Sequence, residues 1–128
     1  LIVDDSSVAR KQIKRCMEQV GFATTVLCDG REALTYLQNM VAEGKDVTKE
    51  FSMVISDIEM PEMDGYTLTT AIRNDSRLQD LFILLHTSLS GVFNEAMVKK
   101  VGADGFLAKF QPDELARLAI ETVQVQSE

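Results

Sequence analysis

The sequence predicts an α/β fold: one five-stranded parallel sheet with helices on both faces. Three observations carry this. Short apolar runs alternate with helical stripes five times along the 128 residues. The run at 82–86 shows no polar alternation, as expected of a strand covered on both faces. Right-handed crossovers between parallel strands then distribute the helices over both sides. A chain of this length buries roughly two-thirds of its unfolded surface, enough for a single core. There is no internal repeat, linker or second compositional segment, so residues 1–128 read as one domain.

The elements follow in order. Residues 1–3 read as the remnant of a first strand. The chain opens on this apolar run with Leu1 rather than Met, so it is expected to be a fragment of a longer protein. Residues 7–20 form a helix with Ala9, Ile13, Cys16, Met17 and Val20 on one face and Gly21 as the stop. Residues 24–27 are a strand. Asp29 caps a helix to about residue 41, carrying Ala33, Leu34, Leu37 and Val41. The polar segment 43–50 lacks periodicity and reads as an exposed loop or helix extension. Residues 53–56 are the third strand. The third helix spans 65–74, with Asp64 as cap and Leu68, Ala71 and Ile72 inward. A fourth strand at 82–86 and a helix at 92–101 follow, the latter stopped by Gly102. The fifth strand is 106–108. Pro112, Asp113 and Glu114 open a last helix to about residue 125.

Composition excludes several classes. The formal charge of −7, from 13 basic and 20 acidic residues, argues against nucleic-acid binding, which needs a basic face. No apolar run approaches the roughly 20 residues that span a bilayer, so no membrane insertion is expected. Cys16 and Cys28 lack metal or redox spacing and read as reduced residues of a cytosolic chain.

In an open parallel sheet, ligands bind beyond the carboxyl ends of the strands. Strand one ends in Asp4-Asp5, strand three in Asp57, strand four in Thr87 and strand five in Lys109. Only strand two ends blandly, in Leu27-Cys28. Three converging carboxylates repel one another, and one stays protonated unless a cation is present. A half-open oxygen-rich site suits Mg²⁺, which binds through one or two carboxylates plus a phosphate. Lys109 suits an ion pair with a carboxylate or phosphoryl group, and Thr87 can donate to a phosphoryl oxygen. A carboxylate can act as nucleophile to form an acyl phosphate, and phosphoryl transfer needs mainly positioning and charge neutralisation. An ionised Asp57 needs no general base. His86, the single histidine, reads as a packed or edge-exposed residue of strand four.

These residues carry a resemblance that covers essentially the whole chain. The segments LIVDDSSVAR at 1–10, MVISDIEMPEMDG at 53–65, LLHTS at 84–88 and VGADGFLAKF at 101–110 resemble the response-regulator receiver (CheY-like) domain. The MP-x-MDG run directly after a strand-ending Asp is very specific, as is Lys109, 22 residues after Thr87. The resemblance implies a flavodoxin-like (βα)5 fold with strand order 2-1-3-4-5. It implies Asp57 as phosphoacceptor, Asp5 as a direct Mg²⁺ ligand, Asp4 as a ligand through water and the Glu59 backbone carbonyl as a further ligand. It also implies Thr87 as switch hydroxyl, Lys109 as phosphoryl partner and Phe106 at the aromatic switch position. The implied donor is a histidine kinase phosphohistidine. The implied output surface is the helix at 92–101, the fifth strand and the last helix. Within the family, HTSLSGVFNE, FLAKFQP and the polar segment before VISDIEMPEMDGYTL are similar to the receivers of CheV-type chemotaxis coupling proteins. That implies a CheA-type kinase and chemoreceptor-array proteins as partners, and a CheW-like domain ahead of the receiver.

Phe110 departs from the family, which usually has Pro after this Lys, commonly behind a cis bond. A cis bond to a non-proline residue costs ~2.5–4 kcal/mol, so either the Lys109–Phe110 bond is trans in a rearranged loop or strain is stored there. Glu59 and Leu89 flank the pocket two residues beyond Asp57 and Thr87, where they can admit or block water. Leu89 is expected to exclude it and prolong the phosphorylated state. Asp64 and Gly65 read as turn and cap chemistry, and Met60 and Met63 as loop packing. Two other functions compete with the phosphoacceptor switch. One is a pseudo-receiver interaction module that is never phosphorylated. The other is a haloacid-dehalogenase-like aspartate-nucleophile phosphohydrolase, suggested by Asp57-Ile58-Glu59. That chemistry wants its nucleophile on the first strand and an Asp two residues on. The receiver reading makes the domain no enzyme: it only assists its own phosphorylation and dephosphorylation.

Overall fold

The structure, a computed structural model, describes residues 1–87, 95–107 and 111–127, and the side chains of 95 and 125–127 lie outside the description. The elements are β1 (Ile2–Val3), α1 (Ser7–Gln19), β2 (Val26–Leu27), α2 (Gly30–Ala42), α3 (Val47–Glu50), β3 (Val54–Asp57), α4 (Gly65–Asn74), β4 (Ile83–His86), α5 (Glu95–Val101), β5 (Gly105–Leu107) and α6 (Pro112–Ser127). The strands form one parallel sheet in the order β2-β1-β3-β4-β5. This is the expected flavodoxin-like order.

The helices begin where short oxygen side chains satisfy free amide groups. Ser6 Oγ accepts from Ala9 N at 3.2 Å, Asp29 Oδ1 from Glu32 N at 2.8 Å and Asp64 Oδ1 from Thr67 N at 2.7 Å. Helix α1 ends at Gln19 with Val20 as its cap, and Gly21, at φ +95°, lets the chain turn back so that Phe22 N donates to Met17 O. Alternating strand residues feed two cores. Val3, Val54, Ile83 and Leu85 pack against α2, α4 and α5, while Ile2, Ile55, Leu84 and Leu107 pack against α1 and α6.

The segment 43–50 is an exposed loop over residues 43–46, as expected, followed by a separate short helix rather than an extension of α2. Helix α2 stops at Ala42, Gly44 takes φ +84°, and α3 begins afresh with Asp46 accepting from Thr48 N at 3.0 Å. One side chain anchors it: Val47 is buried against the α2 core. Four residues with a single apolar member carry no readable period.

A guanidinium ties two loops on the α4 side, the one between α4 and β4 and the one between α5 and β5. Arg73 donates to the carbonyls of Gly102 (2.8 Å), Gln79 (2.7 Å) and Leu81 (2.6 Å) and to Asp104 Oδ2 (2.6 Å). Asp104 Oδ2 also accepts from Ile83 N at 2.8 Å, so the turn into β5 is pinned to the start of β4.

Candidate functional site

Parallel register brings the strand ends to one edge. Asp57 closes β3 directly opposite His86, which closes β4, and Asp4 follows β1 next to them. Asp57 is 4% exposed, and its Oδ1 accepts the Ile58 amide at 2.9 Å. Its backbone carbonyl accepts from Ser56 Oγ at 2.9 Å. Gly65 lies so close that a Cβ there would sit 2.3 Å from the Asp57 carbonyl oxygen. Gly65 is therefore required for close approach and is more than cap chemistry.

Asp4 is buried. Its Oδ1 accepts the Ser6 amide at 2.9 Å, and the Arg10 guanidinium donates to its backbone carbonyl at 2.7 Å. Its Oδ2 lies 3.4 Å from His86 Nε2, yet neither atom has a hydrogen-bond partner among the described residues. One donor atom each from Asp4, Asp57 and His86 fall within 4.8 Å of one another. Asp5 stays exposed in the mouth, lining an open hollow with Ile58, Glu59, Met60, Asp64 and Tyr66.

The electrostatics follow from this crowding. Burial, reinforced by Asp4 and Glu59, pushes the Asp57 carboxyl up to about 7, against the opposing Ile58 amide. Burial likewise raises Asp4. This agrees with the expectation that one of the converging carboxylates favours its protonated form unless a cation is present. Burial lowers His86 to about 4, so its imidazole is neutral.

Thr87 is buried at the end of β4, and its hydroxyl donates to the exposed Glu59 carboxylate at 3.1 and 3.4 Å. Glu59 thus engages the Thr87 hydroxyl as well as lining the hollow. Phe106 sits in β5 beside Leu85, half-buried against the α2–α5 core. Lys109, Phe110 and Leu89 lie outside the described residues, as do the 92–94 start expected for α5 and residue 108 expected in β5.

His86 is packed, one of the two placements the sequence left open, and it is buried beside the Asp4 and Asp57 carboxylates, which the sequence did not reveal. A polar residue ending an otherwise apolar strand, in register with Asp57, was the available signal.

The response regulator receiver domain family matches residues 1–120. Chemotaxis protein CheV3 of Helicobacter pylori is 32% identical over 88% of this chain, which spans 37% of that protein. Chemotaxis protein CheV1 of the same organism is 25% identical over 98% of this chain and 38% of its own length. The chain therefore spans less than two-fifths of these two curated relatives. Among solved structures, the chemotaxis response regulator CheY4 of Vibrio cholerae matches with a TM-score of 0.76 at 30% identity, covering 94% of each chain. The signal receiver domain of a Syntrophus aciditrophicus histidine kinase matches at a TM-score of 0.79 and 28% identity, over 96% of this chain and 87% of that one. The chain is thus a phosphoacceptor signalling domain similar to CheV proteins, and it belongs to the response regulator receiver domain family.

Proposed function

We propose that Asp57 accepts the phosphoryl group of a histidine kinase phosphohistidine with Mg²⁺ in the pocket, and that the resulting acyl phosphate is the signal. The observation that carries this is the Asp57 carboxyl, buried among other acids and pushed up to about 7. A carboxylate held so against its own charge is one that a cation and a phosphoryl group would relieve. The Asp57 oxygen attacks phosphorus, the P–N bond breaks, and the released imidazole takes up a proton.

The donor set fits a hard divalent cation. Asp57 and Asp4 supply buried carboxylates, Asp4 Oδ2 lacks a partner among the described residues, and Asp5 waits at the mouth. Such an ion supplies charge neutralisation for the transferring group. Asp5 and Asp57 are assigned as direct ligands, Asp4 through water and Glu59 through its carbonyl. Thr87 leaves Glu59 to donate to the phosphoryl oxygen, and Lys109 pairs with the same group. Similarity to CheV proteins favours a CheA-type kinase and a chemoreceptor-array setting. No helix among the described residues is long and apolar enough to cross a membrane. Leu89 is assigned to excluding hydrolytic water; an unchanged dephosphorylation rate in Leu89→Ala would remove that role.

Intact mass after incubation with Mg²⁺ and acetyl phosphate tests the reading. A single phosphoryl adduct, lost in Asp57→Asn, is expected. No adduct and no beryllofluoride-induced change would indicate an unphosphorylated interaction module. Turnover of added phosphate esters would indicate a phosphohydrolase.

A further inference from the structure

The geometry points to a cation site in which the His86 imidazole joins Asp4 and Asp57, so that this pocket favours nitrogen-accepting divalent metals such as Ni²⁺ and Co²⁺ over Mg²⁺. The inference rests on the pocket being a divalent-cation site, as proposed above, and deepens that reading.

Four observations carry it. Asp57 and His86 are paired residues on adjacent parallel strands, so their side chains leave the same face of the sheet. His86 is 4% exposed, and its Nε2 has no hydrogen-bond partner among the described residues. It lies 3.4 Å from Asp4 Oδ2, itself buried and without a hydrogen-bond partner among the described residues. Donor atoms of the three residues gather within 4.8 Å. Neighbouring and opposite ligands on a metal with bonds of about 2.0–2.2 Å lie roughly 3 to 4.3 Å apart, so small side-chain movements suffice.

The chemistry of the ring agrees: a neutral imidazole carries a lone pair on one ring nitrogen, which a cation can accept. Leaving such groups buried and unsatisfied is costly; a cation bound by the imidazole, with Asp4 reached through a metal-bound water as assigned above, satisfies both. Imidazole suits Ni²⁺, Co²⁺, Zn²⁺ and Cu²⁺, whereas Mg²⁺ demands oxygen ligands. An all-oxygen pocket has no such donor.

The chain contains a single histidine, which makes the test direct once any purification tag is removed. Pulsed EPR of the Mn²⁺-loaded domain reads ¹⁴N coupling, whose imidazole source can only be His86. Calorimetry with Mg²⁺ and Ni²⁺ on wild type and His86→Val reads the preference. We expect ¹⁴N coupling in the wild type and none in His86→Val. We also expect Ni²⁺ affinity to fall roughly 10–100-fold in the variant, at least the loss typical of removing a supporting group, with Mg²⁺ affinity held within about twofold. Bound Mn²⁺ without ¹⁴N coupling would overturn the inference even if the variant failed to fold. So would equal losses for Mg²⁺ and Ni²⁺, and either result leaves the divalent-cation reading standing. Failure of every cation to bind the wild type would overturn both.

Discussion

Gly65→Ala tests whether the loop from Asp57 to α4 is as tightly built as the geometry requires. The added methyl would stand 2.3 Å from the Asp57 carbonyl oxygen, 3.0 Å from Ile58 Cα and 3.1 Å from the Asp57 carbonyl carbon. Carbon–oxygen contacts normally settle at about 3.3–3.6 Å, so the two backbones must part by about 1 Å. Neither is free to do so. Gly65 N donates to Ile58 O at 2.8 Å, and Ser56 Oγ holds the Asp57 carbonyl at 2.9 Å. Forced backbone shifts of this kind cost about 1–3 kcal/mol, with more in tight sites. Alanine returns at most about 1 kcal/mol through better helix propensity. We expect a net loss of about 2 kcal/mol, read as a lower urea midpoint at unchanged slope. Gly44→Ala is the comparison: it has φ +84° and open space around it, so only the left-handed backbone is penalised, by about 1 kcal/mol. Gly65→Ala should also weaken Mg²⁺ binding, because Asp57 moves with its carbonyl. A variant as stable as the wild type would refute the close approach.

Other outcomes follow from the same structure. Without divalent cations, Asp57→Asn should stabilise the domain at pH 8 and converge with the wild type near pH 4. A carboxyl raised from 3.8 to about 7 destabilises the fold progressively across that interval and by a constant amount above it. The full shift corresponds to about 4 kcal/mol at ~1.36 kcal/mol per unit, and relaxation should leave about 2 kcal/mol; an offset independent of pH in denaturation curves would contradict this. Arg73→Ala should lose about 2 kcal/mol, because three carbonyls and Asp104 lose a charged donor, and amide exchange should rise in the turn before β5. Glu59→Ala should remove the Thr87–Glu59 hydrogen bond and a negative charge from the pocket mouth, and so speed phosphorylation by acetyl phosphate severalfold; a slower rate would assign Glu59 a supporting role instead.

The strand-end chemistry was legible because it depends on topology alone. Once the alternation implied a parallel sheet, Asp4, Asp5, Asp57 and Thr87 had to share an edge. What could not be read depends on three-dimensional neighbours. Asp5 and Asp4 are adjacent in sequence, yet one is exposed and the other 1% exposed, because side chains alternate as the strand ends. The Thr87–Glu59 bond joins residues 28 apart. His86 required the β3–β4 register, which places it opposite Asp57 rather than one residue away. Helix α3 was hidden by its brevity, since one buried valine in four residues leaves no stripe. Arg73 was invisible for a related reason: three of its four acceptors are backbone carbonyls, which sequence does not distinguish.

The central claim is that one carboxylate, Asp57, carries the phosphoryl group. Reduction with borohydride converts an acyl phosphate to the corresponding alcohol and so marks the residue that held it. After phosphorylation with Mg²⁺ and acetyl phosphate, reduction and peptide mapping should find homoserine at position 57 and nowhere else. Homoserine at Asp4 or Asp5, or none in a domain that carries a phosphoryl adduct, would contradict the account.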